Sequence, residues 1–153
     1  MGIIGNKPNQ IPTNADLGQI AFRDDNPQGG IVGTTEAQTL TNKTLQDYSI
    51  QGVALGNTGA TRTIDLDTGN FFSATLDQAC TFTFSNPVAS GNFCGFALAL
   101  IDGDAYTITW PTSVDWAGGA APTLTGSGLD LLVFVTYNGG ATWIGLVSGL
   151  DIK

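Results

Sequence analysis

Two carboxylate pairs, Asp65/Asp67 and Asp102/Asp104, have the spacing in this 153-residue chain that comes nearest to reactive chemistry. Separation by two residues on an extended segment turns both side chains to one face, as in hydrolases where one acid donates a proton and the other acts as base or nucleophile. The same spacing also belongs to the hydrated face of a strand whose other face holds Ile64 and Leu66, and that reading needs no reaction. Asp102-Gly103-Asp104 offers oxygens to a hard cation, but such an ion takes roughly six to eight ligands, and Asp-Gly-Asp is first of all a turn. The chain has no histidine, which removes Ser-His and Cys-His nucleophile systems and the commonest transition-metal ligand. No catalytic residue, metal or cofactor is therefore expected.

The aromatic residues Tyr106, Trp110, Trp116, Tyr137 and Trp143 could stack on sugar rings if exposed. Tyr106, Ile108 and Trp110 alternate with Thr107 and Thr109, however, and a period of two places such side chains on the core face of a strand. Trp116, followed by Ala117-Gly118-Gly119, falls in a loop and is the aromatic expected to be exposed. Gly118-Gly119 and Gly126-Ser127-Gly128 are not phosphate cradles, because neither leads into a helix with a nearby lysine. Cys80 and Cys94 stand 14 residues apart on neighbouring predicted strands. With no basic n-region or long apolar run near Met1, no secretory signal is expected, and two buried thiols are favoured over a disulfide.

The elements that position these residues are short strands. Leu129 to Thr136 and Ala141 to Val147 flank Tyr137-Asn138-Gly139-Gly140, where Asn-Gly supplies the two positive φ values of a tight hairpin. Phe71 to Leu76, Cys80 to Ser85, Phe93 to Ile101 and Ala105 to Trp110 read as further strands, and Pro111 ends the last of them. Strand patterning begins at Tyr48 to Leu55 and Arg62 to Leu66. Seven or eight strands at roughly 8 to 12-residue spacing predict an all-β fold, an antiparallel β-sandwich or jelly roll over residues 61–153. Residues 1–60 hold three prolines, and Thr34 to Leu45 carries only Leu40 and Leu45 as large apolar groups. That composition buries too little surface to order itself alone, so an extended N-terminal arm is expected.

Charged residues are 12% of the chain, about half of the roughly 25% usual for soluble domains, which suits a surface covered by copies or partners. The net charge is −8: residues 1–45 carry three cations against four acids, and residues 46–153 two against nine. Phosphate neutralisation needs clustered Lys or Arg, so no nucleic-acid partner is expected. Phe93 to Ile101 is far short of the ~20 apolar residues of a membrane span, so no membrane partner is expected either.

Ile11 to Asp24 (IPTNADLGQIAFRD) and Gly33 to Leu45 (GTTEAQTLTNKTL) resemble arm and linker sequences of tail-fibre, head-fibre and other virion proteins of tailed bacteriophages. ITWP, Trp116 to Gly119, AAPTLT, and TYNGGATWIG through GLDIK resemble the small β domain that closes many of them, and the likeness covers well over half of the chain. The resemblance implies a non-enzymatic virion component, assembled in the host cytoplasm as a homotrimer whose arms wind together and whose β domains form a knob. It further implies that Ile11, Leu17, Ile20, Phe22, Leu40, Lys43 and Leu45 make inter-subunit contacts or touch the major capsid protein or another virion protein. The chain lacks a long shaft, which favours a capsid decoration (cement) protein. The alternative is a short tail or head fibre presenting its knob to host glycans.

Overall fold

Threonines that alternate with phenylalanines, and valine-rich runs broken by Asp-Gly and Asn-Gly, leave this chain little choice but strands. The computed structural model describes Thr44 and residues 46–153, so the arm residues Ile11, Leu17, Ile20, Phe22, Leu40, Lys43 and Leu45 lie outside the described residues. Nine strands follow: β1 (Gly52–Asn57), β2 (Thr61–Asp65), β3 (Phe71–Thr75), β4 (Cys80–Ser85), β5 (Cys94–Ile101), β6 (Ile108–Thr109), β7 (Val114–Trp116), β8 (Leu129–Thr136) and β9 (Trp143–Ile152). One short 3₁₀ turn, Ala117–Gly119, is the sole helical element among the described residues. The all-β class is thus observed. Asp47–Lys153 forms one unit, and β1 is hydrogen-bonded into its sheet, so strand pairing begins ahead of Thr61.

The strands form a six-stranded sheet, β1-β3-β5-β8-β9-β7, and a three-stranded sheet, β2-β4-β6. From β1 to β6 successive strands alternate between the sheets, so the chain coils. It returns to its own sheet with Gly52 beside Phe71, Thr61 beside Thr81 and Phe71 beside Ala97. Pairing along this coil is parallel; only β5–β8 and β8–β9 are antiparallel. The antiparallel expectation therefore holds for the C-terminal hairpin and its neighbour and fails elsewhere. The reason is physical: a spacing near ten residues sets strand length plus turn, and a strand that crosses to the opposite sheet fits it as well as one that folds back.

Strands β2, β3, β4, β5, β8 and β9 bury residues between the sheets, and β1, β6 and β7 pack half-buried ones against the same core. In β4, Cys80 and Phe82 are buried and Phe84 is half-buried, while Thr81 and Thr83 face out. In β8, Asp130, Leu132, Phe134 and Thr136 point inward. Phe84 packs with ring centroids 4.9 Å from Phe96, 5.1 Å from Phe134 and 5.3 Å from Trp143, so one ring of the smaller sheet touches three strands of the larger. Such pairs add about 0.5–1.5 kcal/mol each to the burial of their area.

Two details of the strands depart from the sequence reading, while the thiols expected at Cys80 and Cys94 are present without a disulfide. The hairpin is present, but its connection spans residues 137–142, and the left-handed positions are Gly139 (φ 69°) and Gly140 (φ 79°), not Asn138. Asn138 works through its side chain: Oδ1 accepts from Thr142 N–H at 2.9 Å and from the hydroxyl of buried Thr136 at 3.0 Å. The strand expected at Ala105 to Trp110 shrinks to Ile108–Thr109, leaving Tyr106 49% exposed while Ile108 and Trp110 pack on the core. Cys80 and Cys94 are free thiols, Cys80 buried and Cys94 half-buried, and they sit on strands of different sheets.

Truncating Trp143, which is 2% exposed, to Ala should lower the unfolding free energy by about 3 to 5 kcal/mol in urea titration. Tyr106→Ala should stay within about 0.5 kcal/mol of wild type. Equal losses in the two variants would mean that the strand facings are misassigned.

Candidate functional site

The carboxylates singled out by spacing do not meet as a reactive pair. Asp65 ends β2, and its Oδ1 accepts from Asp67 N–H at 3.1 Å and from Asn86 Nδ2 at 2.7 Å, tying the β2–β3 turn to the loop after β4. Asp67 lies in that turn, beyond the strand that would have aligned the two side chains. Asp102 takes a left-handed backbone (φ 60°) and its N–H donates to Gly128 C=O at 3.0 Å, while Asp104 N–H donates to Thr125 C=O at 3.1 Å. Gly103 between them is buried, and a Cβ there would stand 2.8 Å from Leu124 and 3.2 Å from an oxygen of Asp130. Only glycine fits. Among the described residues, no three or more His, Cys, Asp or Glu gather as metal ligands would.

Asp130 is the carboxylate that sequence reasoning missed. It is fully buried on β8. Its Oδ2 accepts from Thr125 N–H at 2.6 Å, and its Oδ1 accepts from the Thr125 hydroxyl at 2.8 Å and from Asp151 N–H at 3.0 Å. One side chain thus joins the loop before β8 to the end of β9. An acid in the otherwise apolar run Leu129-Asp130-Leu131-Leu132 was the available signal, because a buried carboxylate persists only where donors converge on it.

A third acid ties the turn between β1 and β2 to the turn between β3 and β4. Asp77 accepts from Gly59 N–H at 2.9 Å and from the hydroxyl of buried Thr58 at 3.2 Å. The Gly59 N–H is the main cause that holds its carboxyl below the usual carboxylate range. Burial pushes the neighbouring Cys80 thiol up, which keeps it protonated and unreactive.

The aromatics do not form an exposed platform. Trp116 is half-buried on β7, with ring centroids 5.6 Å from Trp110 and 5.5 Å from Phe134. A Cβ on Gly145 would come 2.7 Å from the Trp116 ring, so glycine there lets the indole lie flat on β9. The expectation that Trp116 stands exposed is corrected: Val114–Trp116 pairs in parallel with β9, and that pairing swings the ring onto the core. The exposed aromatics in the described chain are Tyr48, Phe71, Phe93, Tyr106 and Tyr137.

One groove, of about 620 Å³, runs between β4 and residues 109–113. It exists because β6 pairs with β4 only at Cys80 and Thr81; Pro111, two residues past β6, has no N–H with which to continue the ladder. Its walls hold Thr83, Asn86 and Thr112 beside Phe84, Trp110 and Trp143, with no charged side chain. Such a lining suits a neutral hydroxyl-bearing ligand better than an anion. Compared with family models, curated proteins and solved structures, the chain finds no match in any of the three.

Asp130→Ala removes the acceptor of two part-buried N–H groups and a hydroxyl, so it should cost about 1 to 3 kcal/mol in urea titration, and Asp130→Asn, which keeps one acceptor, less. A wild-type midpoint for Asp130→Ala would show that its three bonds do not hold the C-terminal strand. For Asp77 the sign runs with pH. A depressed folded-state pKa contributes stability above about pH 4 and loses it as pH falls through the folded value. The gap in urea midpoint between wild type and Asp77→Asn should therefore be present at pH 7 and shrink by pH 3, whereas an unchanged gap would remove this role.

Proposed function

We propose that the chain is a structural, non-enzymatic subunit of a tailed-bacteriophage virion. In this reading it is a capsid decoration protein that binds the outer shell as a homotrimer, with residues 1–46 as an arm and the two-sheet β unit, which begins at Asp47, facing outward. The arm and C-terminal sequence likenesses support this, as does the low charge content of 12%. The observation that carries it is how the acids are used. Asp65, Asp77 and Asp130 direct their oxygens at N–H, amide and hydroxyl groups of their own chain, locking loops rather than facing a reactant. A second reading, a short head or tail fibre that binds host glycans, is favoured by the uncharged groove beside Trp110.

Removing residues 1–46 spares β1, which begins at Gly52, and should leave a soluble β unit that no longer binds particles. Electron microscopy of particles with and without the protein then separates the readings: density lost from the shell supports decoration, and density lost from the tail supports a fibre. Full-strength binding by the truncated chain would show that the arm is not the anchor.

A further inference from the structure

The two sheets show solvent opposite kinds of surface. On the smaller sheet the outward residues are Thr61, Thr81 and Thr109, in register across three strands, with Thr63 and Thr83 behind them. The Thr63 and Thr83 hydroxyls bond at 2.9 Å, and all five residues are exposed. That face is made for water. Outward on the six-stranded sheet, Phe71, Ala97, Val133 and Leu146 form one in-register row across β3, β5, β8 and β9. Parallel to it run Ser73, Ala99 and Leu131, then Thr75, Ile101, Leu129 and Ile152, then Gly95, Val135 and Ile144, with Ala99 covered by its neighbours and most of the rest half-buried. The one charged residue continuing these rows is Asp115, beside Ile144 on edge strand β7. Phe71 is 43% exposed, Ile144 39%, Ile101 38% and Leu146 46%.

We infer that this outward face of the six-stranded sheet is the surface through which copies of the chain associate, the inference resting on the homotrimer reading only for the number of copies. Strands with apolar residues on both faces belong to sheets covered on both sides. With strands ~4.8 Å apart and residues ~3.3 Å apart, the four strands carrying the rows present on the order of 500 Å² in projection. That lies at the upper end of what monomers leave open. Counted on two copies it reaches about 1,000 Å², where stable interfaces begin. Charge selects the occupant. The described unit carries nine acids against two cations, so an oppositely charged partner would seek the acids, which apart from Asp115 on edge strand β7 sit in turns, at strand ends or in the core. The apolar rows lack charge, so the same face of each copy can turn toward a common axis without bringing like charges together.

Light scattering on the full-length protein tests this. Wild type at about 10 μM should have the mass of an oligomer, and Leu146→Asp and Phe71→Asp should each have the mass of one chain while keeping the wild-type near-ultraviolet circular dichroism of the core-packed tryptophans. Thr81→Asp on the other sheet should leave the mass unchanged. Should the aspartate variants fail to fold, Leu146→Thr read by dilution should weaken association about tenfold or more. A wild-type oligomer that survives all three face variants would overturn the face and leave the homotrimer reading standing. A monomeric wild type would sink both, as it would if residues 1–46 of the same chain cover the face, with particle binding still open to separate test.

Discussion

Everything in the β unit depends on two sheets burying their inner faces against each other through a few large rings. Phe82 and Phe84 supply them from the smaller sheet, and Phe72, Phe96, Phe134 and Trp143 from the larger. Phe82 stacks on Trp110 at 5.1 Å, and Phe96 on Phe134 at 5.0 Å, so the contact is continuous rather than a set of separate pairs. A three-stranded sheet whose last strand has only two residues would have little stability alone. It is held by what its rings touch across the core.

That constraint explains which parts of the fold were legible in the sequence. Alternation in Cys80 to Ser85 identified a strand and its buried face because one side meets rings and the other meets water. The hairpin was legible because glycine must occupy left-handed backbone, although Gly139 and Gly140 took the positions expected of Asn138 and Gly139. Parallel pairing was not legible. Whether a turn of a few residues folds back in one sheet or crosses to the other depends on which face finds a partner, and residues 66–70 or 76–79 do not encode that locally. The short β7 was missed for a similar reason: Val114-Asp115-Trp116 is too brief to show a period, and it became a strand by pairing with β9.

The acids show how a polar residue can be misread by spacing alone. Asp65 and Asp67 drew notice as a pair, yet Asp65 serves a turn and Asp67 supplies the N–H that it binds. Asp130 drew none, because a single acid in an apolar run has no partner in sequence; its donors come from Thr125 and from Asp151, 21 residues downstream. Replacing it with leucine would match the apolar run and still cost stability, since the part-buried donors at Thr125 and Asp151 would lose the acceptor that ties them together.

The unlike outer faces follow from how the chain shares its residues between sheets. Because successive strands alternate from β1 to β6, neighbouring segments could have been given similar outward residues; instead β2, β4 and β6 turn threonines outward, while β5, β8 and β9 turn Ala, Leu, Val and Ile outward. The difference is greatest where pairing turns antiparallel, in β8, whose outward residues Leu129, Leu131, Val133 and Val135 are all apolar although its inward ones include Asp130 and Thr136. A strand facing water on one side would carry its polar residues on that side. β8 carries them on the other, where Asp130 and Thr136 find hydrogen-bond partners, and its apolar outward residues are of the kind found in strands covered on both faces.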